Sequence, residues 1–104
     1  HYGCGGVRSA LENVRHGLID NWLAGIRTVA RMNRDELSVL DHEAAVDRLC
    51  EMNVCVQARH VARTTIIEDA WNRGQEIHIH SWIYRLDTGR INKLAEPISA
   101  PILA

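Results

Sequence analysis

The sequence predicts an α/β chain in which three or four helices precede a closing β-hairpin. Through residues 7–61 the apolar side chains recur at helical spacing, which indicates amphipathic helices packed on a shared core. From Ile77 to Tyr84 the period changes to two, as expected of a β-strand. A turn that ends on Gly89 then returns the chain as a second strand.

The first helix is expected to begin near Gly6 and to stop around His16 and Gly17. Its apolar residues are Val7, Ala10, Leu11 and Val14. A longer amphipathic helix follows, with apolar residues at Leu18, Ile19, Trp22, Leu23, Ile26, Val29 and Ala30. Residues 33–40 either continue this helix or form a short one of their own.

The next long helix is expected to start after Asp41, because an aspartate at the N-cap accepts a hydrogen bond from a free backbone N–H. Its apolar face comprises Val46, Leu49, Cys50, Val54 and Val61. The segment Thr65–Glu68 fits a capping box, which predicts a short helix to Arg73 with Gly74 as its stop.

The strand predicted at 77–84 alternates between two sets of side chains. One face carries Ile77, Ile79, Ser81 and Ile83, and the other carries His78, His80, Trp82 and Tyr84. Such a pattern indicates a strand covered on both faces. A returning strand is expected at 91–94 and an irregular tail at 96–104. Because a two-stranded hairpin is marginal alone and a strand rich in Ile, with a Trp, favours a larger sheet, residues 1–104 are interpreted as an incomplete piece of a larger fold.

Composition excludes several function classes. The chain has 104 residues and a formal net charge of −1, which gives no reason to expect nucleic acid or a membrane surface as partner. No apolar run approaches the roughly 20 residues needed to span a bilayer, and no secretory leader is visible. Three cysteines do not suggest a disulfide framework, so a reducing compartment, the cytoplasm, is expected, although an organelle stays open.

The segment from His1 to Cys4 has spacing compatible with zinc, because an imidazole and a thiolate two residues apart can meet one metal across a turn. A chance pairing is the alternative, since two ligands cannot close a tetrahedral site. Gly5 and Gly6 follow and open a helix, whose free N–H groups suit an anion, or they form a simple turn.

Other chemistry-bearing residues have simpler interpretations. His78 and His80 share a strand face, but core or interface histidines explain them better than a metal does. Cys50 and Cys55 are interpreted as small buried hydrophobes. Two tryptophans, at positions 22 and 71, are expected in the core, and the charged run 31–36 on a solvated helix face.

Five segments, in order, resemble the C-terminal half of β-class carbonic anhydrases. They are His1–Val7, which resembles the second metal motif, Gly17–Leu23, Leu49–Val54, Ala70–Gln75 and the closing strand with His80, Trp82, Tyr84 and Gly89. The sequence departs from the family pattern at four places. Ser81 stands where glycine is common, Arg85 and Asp87-Thr88 replace a more acidic turn, Cys55 replaces a larger apolar residue, and the tail after Leu94 does not follow the usual pattern.

The resemblance implies a mostly parallel sheet flanked by helices, here lacking its N-terminal strands and helices and closing on an antiparallel hairpin. It also implies a Zn²⁺ cofactor, with His1 and Cys4 as two protein ligands. A second Cys and an Asp oriented by an Arg would come from an earlier Cys-x-Asp-x-Arg motif that this sequence lacks. The family forms homodimers or homotetramers, and some members bind inhibitory bicarbonate through a Tyr that matches Tyr84.

The function implied is that of a lyase, reversible hydration of carbon dioxide to bicarbonate, by the complete protein. The 104 residues alone are expected to be inactive, because half of the zinc shell is absent. Two alternatives stay open: a catalytically silent binding or dimerisation module, and a related zinc hydrolase acting on carbon disulfide.

Overall fold

The computed structural model describes residues 1–103, and within them five helices precede a two-stranded antiparallel sheet. The helices are α1 (Gly5–Glu12), α2 (Ile19–Met32), α3 (Arg34–Ser38), α4 (His42–Ala62) and α5 (Thr65–Asn72), and the strands are β1 (Ile79–Arg85) and β2 (Arg90–Ile98). This order confirms the prediction of helices followed by a hairpin, but the described residues contain five helices and not three or four, since residues 34–38 form a short helix separate from α2. No helix in the described range combines the length and the apolar character that crossing a membrane requires.

Helix α4 lies at the centre of the fold and contacts every other element. Most of its buried side chains belong to one apolar cluster, which comprises Val7, Val29, Leu37, Ala45, Val46, Leu49, Cys50, Met52 and Ile83. The cluster joins α1, α2, α3 and β1 to α4. The start of α1 and the end of β1 are thereby held on the same helix, which positions the candidate site.

The helix ends follow local capping rules, except that the N-cap of α5 lies one residue earlier than predicted. Asp41 accepts a hydrogen bond from the N–H of Ala44 at 2.8 Å, which confirms it as the N-cap of α4. The N-cap of α5 is Thr64, whose hydroxyl accepts from the N–H of Ile67 at 3.4 Å. The capping box predicted at Thr65–Glu68 is therefore wrong by one position, since Thr65 is already helical.

Helix α1 is shorter than predicted. It ends at Glu12 because Asn13 adopts the left-handed conformation, with φ of 57°, that commonly terminates helices. Val14 therefore lies outside the helix with 41% of its surface exposed. At the other end of the chain, Gly74 follows α5 with φ of 84°, as predicted for a helix stop.

Trp22 contradicts the prediction that it belongs to the core, because 87% of its surface is exposed. Leu23, the next residue along α2, is only 6% exposed. The apolar side chains of α2 extend around more of the helix than its packing partners cover, so Leu18 and Trp22 remain outside. Trp71 is half-buried, and its indole N–H donates to the carbonyl of Ile77 at 3.0 Å.

The hairpin closes at Gly89, which has the predicted positive φ, 69°. The face that carries Ser81 and Ile83 is buried. On the opposite face His80, Trp82 and Tyr84 are exposed, so the prediction that both faces are covered is wrong for residues 1–103.

Strand β2 runs to Ile98, well beyond the predicted 91–94, and takes in part of the tail predicted to be irregular. Residues 99–103 lie outside the strands, and position 104, the last of the predicted tail, is outside the described residues. The sheet of residues 1–103 consists of this antiparallel pair, so the parallel strands implied by the resemblance are not among the described residues.

Candidate metal centre

The candidate ligands His1 and Cys4 lie on either side of a turn that leads into α1. Gly3 in this turn has φ of 76°, a conformation that favours glycine. Cys4 is the N-cap residue of α1, and its carbonyl accepts the N–H of Arg8 at 3.0 Å. The thiol is thus attached to the rigid start of a helix, and the imidazole to the loop before it.

The imidazole of His1 is exposed, and its Nδ1 lies 2.7 Å from the carbonyl oxygen of Tyr2. Because a carbonyl only accepts hydrogen bonds, Nδ1 carries the proton in this contact. This tautomer leaves the lone pair on Nε2, which is the arrangement common among metal-binding histidines that donate to a backbone carbonyl. His1 is therefore suited to bind a metal through Nε2.

The side chain of Cys4 is half-buried against the apolar cluster and makes no capping hydrogen bond to α1. Its sulfur is consequently available as a ligand. A Cβ placed on Gly6 would lie 3.3 Å from Cδ2 of Leu23 and 3.8 Å from Sγ of Cys4. A side chain at this position would therefore press on Leu23 next to the sulfur, so the packing favours glycine there.

Gly5 and Gly6 form the start of the first turn of α1, where backbone N–H groups have no intrahelical acceptor. Gly5 is exposed, so its N–H can be reached from solvent. Such groups favour a bound anion. The anion contact itself stays a prediction.

Within residues 1–103 no three side chains of the His, Cys, Asp and Glu types come together as a metal centre. Cys50 lies near Cys4, but burial raises the pKa of the Cys50 thiol, an effect that the Cys4 backbone opposes. The chain thus offers one nitrogen and one sulfur, the donor atoms that zinc prefers, and fits half of a tetrahedral shell.

Tyr2, which lies between the two candidate ligands, is held by three contacts. Its hydroxyl donates a hydrogen bond to Oε2 of Glu51 on α4, and its backbone N–H donates to the carbonyl of Tyr84 at 3.0 Å. The guanidinium carbon of Arg85 lies 5.0 Å from the centre of its ring, within cation–π range. The loop of the candidate ligands is therefore tied to both α4 and β1.

The hydrogen bond to Glu51, followed by burial and the negative charge of Glu51, raises the pKa of Tyr2 to about 12. Glu51 in turn accepts from Arg48 at 3.3 Å, and Arg48 also donates to Glu36 at 2.8 Å. Arg48 is therefore shared between two carboxylates, and its positive charge lies beside Glu51 while Glu51 holds the phenol.

A second tie joins α1 to α4 through Arg8 and Glu43. The guanidinium of Arg8 donates two parallel hydrogen bonds to the carboxylate of Glu43, at 2.7 and 2.8 Å. These bonds lower the pKa of Glu43 and raise that of Arg8. Paired hydrogen bonds of this kind restrict the relative orientation of the two helices, and with it the direction of the first turn that carries Cys4.

Tyr84, predicted to belong to an inhibitory bicarbonate site, lies on the exposed face of β1 with 40% of its surface exposed. Its carbonyl accepts the N–H of Tyr2, while its hydroxyl lies close to Gly89, 3.7 Å from a Cβ placed there. The side chain thus belongs to the hairpin, and its role in anion binding stays a prediction.

His78 and His80 have different partners. His78 contacts Oγ of Ser99 at 2.7 Å and Oε1 of Glu76 at 2.8 Å. The ring of His80 lies 4.9 Å from the ring of Trp82 in a tilted arrangement. These contacts account for both side chains without a metal.

Three residues around the site were not identified from the sequence: Tyr2, Arg8 and Glu51. Glu51 belongs to one of the five resembling segments, but nothing in its spacing indicates a partner at position 2. The position of Tyr2 between the two candidate ligands was the available signal, since any contact of its side chain must restrain the loop.

Comparison with known proteins assigns this arrangement to a family. A family model described as carbonic anhydrase matches residues 1–91. A curated relative, a carbonic anhydrase of Emericella nidulans, is 32% identical over 95 residues, which cover 90% of this chain and 42% of the relative.

Three solved structures share the fold. A Coccomyxa β-carbonic anhydrase in complex with acetazolamide matches with a TM-score of 0.88 and 33% identity over 96% of this chain and 46% of its own. A tetrameric β-carbonic anhydrase of Sordaria macrospora matches with a TM-score of 0.84 and 29% identity, over 95% of this chain and 51% of its own. A β-carbonic anhydrase of Aspergillus fumigatus matches with a TM-score of 0.80 and 33% identity, over 93% of this chain and 47% of its own. The chain spans about half the length of these relatives.

Proposed function

Because the chain belongs to the β-carbonic anhydrase family, we propose that the complete protein hydrates carbon dioxide reversibly to bicarbonate with a zinc ion held in part by His1 and Cys4. The observation that carries this proposal is the turn that places an imidazole with a free Nε2 before a thiol at the start of α1. Nitrogen and sulfur are the donor atoms that zinc prefers.

Each residue of the loop has a distinct role in this proposal. Nε2 of His1 and Sγ of Cys4 bind the metal, and the hydrogen bond from Nδ1 to the Tyr2 carbonyl fixes the direction of the ring. Zinc, when bound, acidifies water so that hydroxide is available near neutral pH. The free N–H groups of Gly5 and Gly6 donate hydrogen bonds to the oxygens of bicarbonate as it forms.

The other half of the zinc shell is proposed to come from protein outside this chain. The family resemblance assigns it a Cys and an Asp from a Cys-x-Asp-x-Arg segment, with the Arg orienting the Asp. This chain supplies two side chains of ligand type near the start of α1, and within residues 1–103 no three such side chains form a cluster. Both observations fit a zinc shell that is divided between two segments of protein. Residues 1–104 are then the C-terminal part of one domain.

A mostly parallel sheet is proposed for the complete domain. Strand β1 has β2 on one edge only, and on its other edge the carbonyl of Tyr84 accepts the N–H of Tyr2 at 3.0 Å. A strand running into His1 would extend this pairing along β1. The exposed face of β1, with His80, Trp82 and Tyr84, would be covered by other parts of the domain.

A homodimer or homotetramer is proposed as the assembly. Large apolar side chains on α2 are exposed, Leu18 at 86%, Ile19 at 52% and Trp22 at 87%, which is typical of a surface covered by protein. The similar Sordaria macrospora enzyme is tetrameric. We also propose a cytoplasmic location, since the three cysteines are unpaired, as in a reducing compartment.

Carbon dioxide hydration measured by stopped flow with a pH indicator tests the activity. The complete protein loaded with zinc should hydrate carbon dioxide, and removal of the metal with a chelator should stop the reaction. The 104-residue chain should show no turnover above buffer. Zinc-dependent turnover by the chain alone would contradict the division of ligands, and a zinc-loaded complete protein without hydration would contradict the function.

The alternative is a silent binding or dimerisation module, which would contain the same residues 1–103 without a complete metal shell upstream. The two functions differ in the upstream sequence. A Cys-x-Asp-x-Arg segment before His1 supports the enzyme, and replacement of its Cys or Asp supports the module. An assay with carbon disulfide on the same zinc-loaded protein decides whether that related substrate is used.

A further inference from the structure

A groove of about 670 Å³ lies between α1, α2, α3 and α4. Three arginines line it, Arg27, Arg31 and Arg34, and we call it the arginine groove. Its apolar lining includes Leu11, Leu37 and Leu40. Its volume falls within the usual range of small-molecule sites, about 300–1,000 Å³.

The charge of the arginine groove differs from that of the whole chain. The chain carries a net charge of −1, yet the groove is lined by three arginines and by no acidic residue. Of the neighbouring carboxylates, Glu36 accepts from Arg48 outside the groove, whereas Asp20 contacts Arg27 at 3.3 Å and Glu12 contacts His42, which lines the groove, at 2.7 Å. Among the described residues, Arg31 and Arg34 have no such carboxylate partner. The local field therefore favours an anion.

All three guanidinium groups have donors to spare, and the buried Nε of Arg27 has no hydrogen-bond partner among the described residues. Arg27 is held in place, because its Nη2 donates to the carbonyl of Val14 at 2.9 Å and contacts Asp20 at 3.3 Å. Arg31 donates to Oγ1 of Thr28 at 3.1 Å. Within residues 1–103 no carboxylate lies within ion-pair distance of Arg31 or Arg34.

The backbone explains why these charges share one groove. Arg27 and Arg31 are four residues apart on α2, so they lie on the same side of that helix. Asn33 ends α2, and Arg34 begins α3 beside the same opening. The break between the two helices thus adds a third guanidinium to the wall formed by the first two.

We propose that the arginine groove binds a small organic phosphate monoester with an apolar or aromatic body. A phosphate monoester carries a charge of about −1.5 to −2 at pH 7, which matches the two unpaired guanidinium groups better than a single carboxylate does. Guanidinium groups bind phosphate oxygens through paired hydrogen bonds. The apolar body of the ligand would contact Leu11, Leu37 and Leu40, so that apolar surface of the ligand and of the leucines is removed from water.

This site does not depend on the metal. Cys4 lies at the N-terminal end of α1, whereas the groove uses Ala10 and Leu11 at the other end of the helix. Binding can therefore be measured on the 104-residue chain without zinc, so its failure would leave the proposed hydration activity untouched.

Phenyl phosphate is the probe, and its binding is measured by isothermal titration and by amide chemical-shift changes in the ¹⁵N-labelled chain. We expect saturable binding with shifts at Leu11, Leu37 and Ala45, weaker binding of inorganic phosphate, and none of phenol. Replacing Arg31 and Arg34 together by Gln should weaken phenyl phosphate binding about tenfold or more, because the charged hydrogen-bond donors to the phosphate oxygens are removed.

The matched control replaces Arg59 and Arg63, near the end of α4 and away from the groove, by Gln. This variant has the same loss of charge and should bind phenyl phosphate as the parent does. Replacing Arg31 and Arg34 by Lys should give intermediate affinity, since charge is kept and the paired geometry lost. Equal weakening in the control, equal binding of phenol, or no binding of phenyl phosphate at millimolar concentration would overturn the proposal.

Discussion

The hydroxyl of Tyr2 donates a hydrogen bond to the carboxylate of Glu51, 49 residues further along the chain. This contact joins the loop between His1 and Cys4 to the central helix α4. Arg48 donates to Glu51 from the adjacent turn at 3.3 Å, so a positive charge lies beside the carboxylate that accepts the phenol. The relationship ties the geometry of the candidate metal centre to the stability of the core.

Replacing Tyr2 by Phe should lower the free energy of unfolding by about 1–2 kcal/mol, since a half-buried hydrogen bond to a charged group is lost while the ring and its contact with Arg85 remain. Urea denaturation of the chain measures this loss. In the complete protein the same change should also weaken zinc retention against a chelator.

Tyr84→Phe is the matched control, because the Tyr84 hydroxyl is not among the hydrogen-bonding groups of the loop and only its carbonyl is used. This variant should unfold within about 0.5 kcal/mol of the parent. Equal zinc affinity in Tyr2→Phe and parent protein would show that the contact is structural only.

Stability should fall at high pH because of Tyr2. Its folded-state pKa, about 12, lies above the ordinary value of 10.0. Between these two values the unfolded chain loses the phenol proton while the folded chain keeps it, so this contribution is complete below about pH 10 and disappears towards pH 12.

Unfolding by urea between pH 9 and 12, with parent and Tyr2→Phe side by side, measures this loss. The parent should lose stability more steeply than the variant over that interval. Ultraviolet absorption of tyrosinate should show a late step in the parent that the variant lacks. If the free energy of unfolding fell equally with pH in the two proteins, the pKa of the Tyr2 phenol would not be raised in the folded chain.

Cys4→Ser should abolish zinc retention by the complete protein, because a hydroxyl is a far poorer zinc ligand than a thiolate. Cys55→Ser is the matched control, since Cys55 is a half-buried cysteine on α4 outside the site. Metal analysis after dialysis compares the two. Full zinc content in Cys4→Ser would remove Cys4 from the metal centre.

Tyr84→Phe should leave carbon dioxide hydration intact in the complete protein and should alter at most its inhibition by bicarbonate. The hydroxyl lies beside the hairpin turn at Gly89, on the exposed face of β1. Initial rates at increasing bicarbonate concentration test this. A large loss of hydration without bicarbonate would assign Tyr84 to the catalytic site.

Rules that act within a few residues predicted the local features of this chain. Asp41 caps α4 and Gly89 closes the hairpin because both effects depend on neighbouring backbone alone. The same rules were ambiguous where two threonines adjoin, and Thr64 rather than Thr65 became the cap of α5. The type and order of the elements follow from periodicity and turn chemistry.

Features that depend on distant residues could not be predicted. The side chain of Tyr2 has its partners at positions 51, 84 and 85, and no spacing in the sequence indicates them. His1 and Cys4 were predicted as metal ligands from the sequence, but the contacts that hold their loop on α4 and β1 became visible only in the fold. Similarly, the periodicity of the sequence identifies the apolar side of α2, but it does not show how much of that side is covered by neighbouring elements.

Adjacent residues of α2 provide a direct test of which side of that helix belongs to the core. Leu23 is 6% exposed and Trp22 is 87% exposed. Leu23→Ala should lower the free energy of unfolding by about 2–4 kcal/mol, since it leaves a cavity beside Gly6. Trp22→Ala should change it by no more than about 0.5 kcal/mol, although it removes the larger side chain.

Urea unfolding of the 104-residue chain at two protein concentrations measures both effects and separates folding from association. If α2 were rotated so that Trp22 faced the core, the order of the two effects would reverse. A concentration-dependent loss in Trp22→Ala alone would instead show that the exposed tryptophan stabilises contacts between copies of the chain, because folding of a single chain does not depend on concentration.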